Sequence, residues 1–384
     1  MSPSDSPLPR KEFLRLLGML GSAAAVTAFL QACQRAGLDP TAIPTATLRT
    51  PAATAASTAT PEPIDMTEAT QTEAPSATQT PTSWIGRVAL VRTADRAAGV
   101  RQAIDLLGEN LVRGKDVFLK PNYNSADPTP GSTHIDVLRA LVLKLREMGA
   151  VNITLGDRSG MGDTRKVFQA RGVFDLAQEL DFATVVFDEL AAEDWVRCDS
   201  PGSHWKQGFY LPRAVLESPA VVQTCCLKTH RYGGHFTLSL KNSVGLAARR
   251  LTAKSHNFMD ELHTSSSQRR MIAEINAAYS PALVVLDGVE AFTNGGPDQG
   301  RTVKPEVVLA GRDRIALDAV GVAILRLYGT TSEVSYGPVF KQEQIARAVE
   351  LKLGVDSPEK IELLVEDEAG EDFAAQVRAE LLKG

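Results

Sequence analysis

From Trp84 onward the chain alternates short apolar runs with longer amphipathic segments, and the two periods are those of buried strands and of helices resting on a core. Runs rich in Val, Ile and Leu predict strands over 88–91, 117–120, 153–157, 184–187, 221–227, 283–287, 307–310 and 361–365. Helical periodicity fills most of the intervals, over 97–111, 135–148, 165–180, 260–278, 314–327, 342–351 and 372–382. Apolar strands separated by helices predict an α/β fold, a mostly parallel sheet with helices on both faces in Rossmann-like layering. No internal repeat stands out.

The first 82 residues follow a different grammar. Arg10, Lys11 and Arg15 precede an apolar run over 16–30, LLGMLGSAAAVTAFL, which has the length of a signal-peptide core and is short for a membrane span. The stretch Pro9-Arg10-Lys11-Glu12-Phe13-Leu14-Arg15 resembles a twin-arginine export motif with Lys in the second arginine position, so both the twin-arginine and the general export route stay open. Leu30-Gln31-Ala32-Cys33 closes the run and resembles a lipobox, in which the cysteine is lipidated. The expectation is an export signal over 1–33 and a mature protein lipid-anchored through Cys33 to the outer face of the cytoplasmic membrane. Residues 34–82 are dominated by Thr, Ala, Pro and Ser without periodicity, which predicts a disordered linker with a root-mean-square reach on the order of 40 Å. One α/β domain over 83–384 remains.

Composition removes several function classes. With 41 basic and 46 acidic residues and a net charge of -5, the chain offers no global field for nucleic acid. At 43% hydrophobic residues, a domain of this length buries a core without disulfides or metal. No P-loop, GxSxG elbow or GxGxxG follows any predicted strand, which disfavours nucleotide hydrolysis, serine-esterase chemistry and NAD binding.

Ligands of such sheets bind beyond the carboxyl ends of the strands. Here those ends read Lys120-Pro121-Asn122, Asp157-Arg158-Ser159-Gly160, Lys228-Thr229-His230 and Asp287-Gly288. The densest polar run is HRYGGHFTLSLKNSVG, from His230 to Gly245. If 235–241 is extended, His235, Thr237, Ser239 and Lys241 form one polar row; if it is helical, Thr237 and Lys241 still pair while the row breaks up. The plainer alternative is an edge strand with one solvated face. Lysines 120, 228 and 241 with Asn122 and Asn242 suit a small anionic ligand, and Thr237, Ser239, Asp157, Ser159 and Asp287 are candidates to orient it. His230, His235 and Lys241 are the candidate catalytic groups.

In the right order across 86–330, Phe118-Leu119-Lys120-Pro121-Asn122, Gly156-Asp157, Leu227-Lys228-Thr229-His230, the run 237–242 with Gly245, Leu286-Asp287-Gly288, Gly295-Gly296-Pro297, and Asp313 with Asp318 resemble the bacterial and archaeal family called domain of unknown function 362. Some members of that family carry an added ferredoxin-like module; this chain lacks the Cys-rich runs, so the resemblance implies no iron–sulfur cluster. A fainter likeness, in topology and in the placing of Lys and His after strands, is to the N-terminal domain of the nickel-pincer lactate racemase group.

A divalent metal is a candidate cofactor, with His230, His235 and His263 as its ligands; His256, Asp260 and His263 have a spacing that would share one helical face if a single helix ran through all three. Cys225 and Cys226 read as buried hydrophobes, with Cys198 a candidate disulfide partner for one of them. The sequence therefore supports a lipid-anchored, extracytoplasmic enzyme acting on a small anionic or envelope-derived metabolite through a Lys/His/Asn site, with metal assistance as one version. A ligand-binding or sensing lipoprotein using the same cleft is the alternative.

Overall fold

The computed structural model describes residues 84–383. The export signal over 1–33, the lipobox-like Cys33, the linker over 34–82 and Ser83, the first position of the predicted domain, lie outside the described residues. In chain order the elements are β1 (Gly86–Arg92), α1 (Arg96–Leu107), β2 (Val117–Lys120), α2 (Ile135–Glu147), β3 (Ile153–Asp157), α3 (Thr164–Ala170), α4 (Val173–Glu179) and β4 (Ala183–Val186). There follow β5 (Trp195–Cys198), β6 (Phe209–Pro212), α5 (Arg213–Leu216), β7 (Ala220–His230), β8 (His235–Thr237), α6 (Ser239–Asn242), α7 (Phe258–Thr264) and α8 (Gln268–Ile275). The last third supplies β9 (Pro281–Gly295), β10 (Gly300–Val303), β11 (Val307–Gly311), α9 (Arg314–Leu327), α10 (Ser332–Ser335), α11 (Glu343–Glu350), β12 (Ile361–Leu364) and α12 (Glu368–Leu381). Among the described residues no helix is long and apolar enough to cross a membrane.

The main sheet runs in the order β12-β1-β11-β9-β7-β2-β3-β4, with β10 paired to β9 and β8 to β7. Within the eight-strand path only β11 runs against the rest, antiparallel to both β1 and β9; the other neighbours are parallel. The predicted mostly parallel α/β sheet is therefore the observed one. Side chains alternate between its faces as the pleat demands. Val88, Leu90, Leu286 and Leu309 enter a core beneath α9, α11 and α12. Ala89, Val91, Val285 and Val308 enter a second core against α1 and α2. A third cluster, built on Phe187, Trp195, Trp205 and Phe209, packs beneath the β5–β6 ribbon, a pair that apolar periodicity alone did not single out.

Two predicted helices are each broken in two, both for local reasons. The segment expected over 165–180 is interrupted at Gly172, whose left-handed φ of 70° separates α3 from α4. The segment expected over 260–278 is interrupted by Ser265–Ser267, where the Ser267 amide donates to the Ser265 hydroxyl at 3.0 Å instead of continuing the helix.

Helix α9 is buried from Arg314 through Leu325, so its start is fixed with unusual care. Asp313 accepts from the amides of Ile315 (2.8 Å), Ala316 (3.0 Å) and Val355 (2.7 Å), and from the Trp84 indole at 3.2 Å. Removing this carboxylate strands four donors. Asp313→Ala is expected to cost about 2 kcal/mol of stability, read as a lower urea midpoint with an unchanged m-value.

Candidate functional site

The chain builds outward from β2 to β3 and β4, then returns to place β7 on the other side of β2. The strand order thus reverses between β2 and β7, and the crevice at their carboxyl ends is the place where such sheets receive ligands. Lys120 ends β2 and Asp157 ends β3; their charged atoms meet at 2.8 Å, each residue only 1% exposed. Asp157 also accepts from the amides of Tyr123 (2.9 Å) and Arg158 (2.7 Å). Burial pushes the Lys120 ammonium down and the Asp157 carboxyl up, each against the attraction of its partner. Gly245 lies directly over the pair, and a β-carbon there would fall 2.5 Å from Asp157 Oδ1 and 2.8 Å from Lys120 Nζ.

The segment after β7 is neither the extended row nor the plain helix considered above. β8 ends at Thr237, and the Asp318 carboxylate on α9 captures the amides of Ser239 (2.8 Å) and Leu240 (3.0 Å) and the Ser239 hydroxyl (2.5 Å), which starts α6. Burial raises the Asp318 carboxyl to about 7. The switch from strand to helix turns Ser239 inward while Lys241 and Asn242 face the crevice. Asn242 Oδ1 accepts from Lys120 Nζ at 3.1 Å and from the Asn122 amide at 3.2 Å. Asn122 Oδ1 accepts in turn from Lys228 Nζ at 2.8 Å, and Lys228 also donates to the Gly131 carbonyl.

These groups line a narrow recess of about 40 Å³, walled by Lys120, Asn122, Asp157, Lys228, Thr237 and Asn242. It opens past Lys241, Asn124 and Arg158 into a cavity of about 390 Å³ that also meets His230, Tyr232, Arg249 and His263. Among the described residues Lys228, Lys241, Arg158 and Arg249 form no ion pair. Arg158 spends its guanidinium on the carbonyls of Ala247, Ser159 and Val244, and Arg249 donates to the Ser159 carbonyl. Burial, with Arg249 adding repulsion, lowers Arg158 to about 10. Burial and the charges of Lys228 and Arg158 lower Lys241 to about 7, and among the described residues its amine has no hydrogen-bond partner. Burial, then Lys241 and Lys228, hold His230 well below its ordinary value, in the neutral form. His230 Nδ1, Thr237 Oγ1 and Asn124 Nδ2 are buried with nothing to bond.

Of the residues singled out from the sequence, the fold brings Lys120, Asn122, Asp157, Lys228, Thr237, Lys241 and Asn242 to the recess and His230 and His263 to the cavity. It does not bring the rest. His235, opposite His230 in the β7–β8 ladder, lines a second hollow with Arg231, Asn294 and Glu333, to which His230 also contributes, and lines neither the recess nor the cavity. Asp287 lies in the middle of β9, which runs on to Gly295, and its carboxylate is held by Arg96 at 2.9 Å. Ser159 turns its hydroxyl onto the Tyr123 carbonyl at 2.6 Å.

The metal reading fails on its donors. Among the described residues no group of three or more His, Cys, Asp or Glu side chains is placed to hold a metal ion. His256 precedes α7, which Asn257 caps, and pairs with Glu261 at 2.6 Å, so it shares no helical face with His263. Cys198, Cys225 and Cys226 are buried free thiols, so the considered disulfide is not formed; burial raises the first and last to about 11. Neither arginine of the cavity is among the residues that the sequence singles out for a role. Arg158 stands beside Asp157 at a strand end, a usable signal, whereas Arg249 lies in a loop with nothing to distinguish it from a surface residue.

Fold and site together define an α/β protein with a cationic cleft at the sheet's switch point. The family model described as domain of unknown function (DUF362) matches residues 117–323, and the chain belongs to that family. The thylakoid-associated protein sll1697 of Synechocystis sp. is 28% identical over 251 residues, covering 62% of this chain and 74% of that protein. Among solved structures, the lactate racemase apoprotein of Thermoanaerobacterium thermosaccharolyticum is similar at a TM-score of 0.39 and 15% identity, over 63% of this chain and 57% of that one.

The depressed Lys241 gives a pH test. A lysine whose folded pKa lies near 7, against about 10.4 unfolded, binds fewer protons in the folded state between those values, so its penalty is full below pH 7 and fades as pH rises. Lys241→Met is therefore expected to unfold at a higher temperature than the parent at pH 6, with the difference shrinking toward pH 10. A difference that stays constant across that range would contradict the depressed amine.

Proposed function

We propose that the protein binds a small anionic molecule in the cleft between β2 and β7 and transforms it by proton transfer, with Lys241 and His230 as the exchanging groups. The observation that carries this reading is the charge imbalance. Four buried or half-buried cations, Lys228, Lys241, Arg158 and Arg249, line the recess and the cavity it opens into, where the carboxylates are Asp157, already paired with Lys120, and the exposed Asp260, which forms no ion pair with them among the described residues. Confining like charges away from water is costly, and an anionic ligand relieves that cost. A neutral imidazole and an amine near half-protonation at neutral pH are suited to accept and return protons.

The proposed setting is extracytoplasmic, with the α/β domain over 83–384 tethered by lipid on Cys33 and a flexible linker, and the substrate a small anionic or envelope-derived metabolite. The signal-like N-terminus supports it. The association of the Synechocystis relative with thylakoids agrees with a place at a membrane.

Inorganic phosphate and citrate are the first probes. Either is expected to raise the unfolding temperature of the full chain saturably, on the order of 5 °C at 100-fold excess over Kd, and Arg249→Ala to weaken the effect. No shift with either anion would remove the reading. Once a ligand is in hand, His230→Ala separates turnover from mere binding: an enzyme keeps most of its affinity and loses rate, whereas a binder or sensor only binds less tightly.

A further inference from the structure

We infer that Lys241 is a nucleophile that forms an imine with a 2-oxo acid, the carboxylate seated in the narrow recess and the rest of the molecule in the wider cavity. This rests on the anion-binding reading above and names the substrate class for the same cleft.

Three geometric facts lead to it. First, Lys241 stands where the recess opens into the cavity, and it lines both. Among the described residues it makes no hydrogen bond or ion pair, unlike Lys120 and Lys228, whose amines are tied to Asp157, Asn242, Asn122 and Gly131. A lysine that serves structure is held; this one is buried and idle. Second, the recess is narrow, about 40 Å³ against about 390 Å³ for the cavity it opens into, so it suits the small carboxylate end of a molecule better than its bulk. Its wall offers Lys228 as counter-charge and the Thr237 hydroxyl, unpartnered among the described residues, as a donor, while the Asp157 carboxylate in the same wall is neutralised by Lys120. A carboxylate seated there leaves the carbon next to it at the level of Lys241, and the carbon next to the carboxylate of a 2-oxo acid is a carbonyl. Third, Gly234 holds amine and imidazole together: the point its β-carbon would occupy is 2.7 Å from Lys241 Cε and 2.9 Å from His230 Nδ1. That ring nitrogen is buried without a partner.

The step balances without an oxidant or reductant. The uncharged Lys241 nitrogen adds to the carbonyl carbon, forming the C–N bond, and His230 carries one of the two nitrogen protons to the carbonyl oxygen, which leaves a neutral carbinolamine. His230 accepts a proton from the nitrogen and returns it to the departing hydroxyl, the C–O bond breaks, and water leaves behind a C=N bond. A lowered amine pKa serves this chemistry, because an ordinary lysine at pH 7 is uncharged only about once in ~2,500 molecules. Beyond the reacting carbon, Arg158 and Arg249 in the cavity favour a second anionic group.

The test uses 2-oxoglutarate, with glutarate as its carbonyl-free counterpart, on the full chain at pH 7. Sodium cyanoborohydride reduces any imine to a stable secondary amine that peptide mass mapping locates. The expected result is a saturable adduct on Lys241, forming at least about tenfold faster than on exposed lysines, competed by glutarate and absent from Lys241→Arg. His230→Gln is expected to slow trapping without lowering its final extent. If both diacids stabilise the protein equally and Lys241 stays unmodified, the imine inference is overturned and the anion site stands. If neither diacid binds and no adduct forms on Lys241, both fall. Adducts spread evenly over the exposed lysines also overturn the inference, since the labelling would then report solvent exposure alone.

Discussion

The buried contact between Lys120 and Asp157 is the interaction on which the cleft depends. It joins the carboxyl ends of two neighbouring parallel strands, β2 and β3, at a point with almost no access to water. Neither charge could stay there alone: removing one partner from a buried pair leaves an uncompensated charge and typically costs about 3–5 kcal/mol. The pair therefore enforces its own surroundings. Asp157 fixes the backbone of Tyr123 and Arg158, and so the course of both strand exits. Lys120 fixes Asn242, which in turn orders Asn122 and, through it, Lys228. Close approach from above is permitted only because residue 245 has no side chain.

A second constraint comes from the opposite core. Asp318 belongs to a helix buried on nearly all sides, yet its carboxylate reaches across to start the four-residue helix that carries Lys241 and Asn242. The Lys241 side chain is thus positioned from below by a capping carboxylate and from the side by the close-packed Gly234 turn. Rigid supports on several elements hold a side chain more accurately than a loop does. Burial, with the neighbouring cations adding repulsion, holds Lys241 and His230 toward their neutral forms.

Much of this was legible along the chain. The strands over 117–120 and 153–157 and the helix over 314–327 fall where the apolar pattern puts them, because each is buried by its own periodicity. The lysines and asparagines at strand ends were marked by chemistry and position together, and the family resemblance rested on the same residues. What misled was any inference that needed a direction. The polar alternation from His235 to Lys241 looks like one face of a strand, but a carboxylate some eighty residues later ends the strand at Thr237. Asp287 looks like a strand end because the apolar run stops there, although β9 continues through Gly295 on hydrogen bonds that polar residues supply equally well.

The sequence by itself determined the α/β class, the positions of most elements, and the set of lysine, asparagine and histidine residues from which a cleft would be drawn. Only the tertiary structure decided which of them meet, that His235 and Asp287 stand apart, and that Arg158 and Arg249 join. The reason is physical. Burial periodicity is a local property written every two or four residues, whereas the convergence of charges depends on the order in which strands pair, and that order is chosen by the whole core.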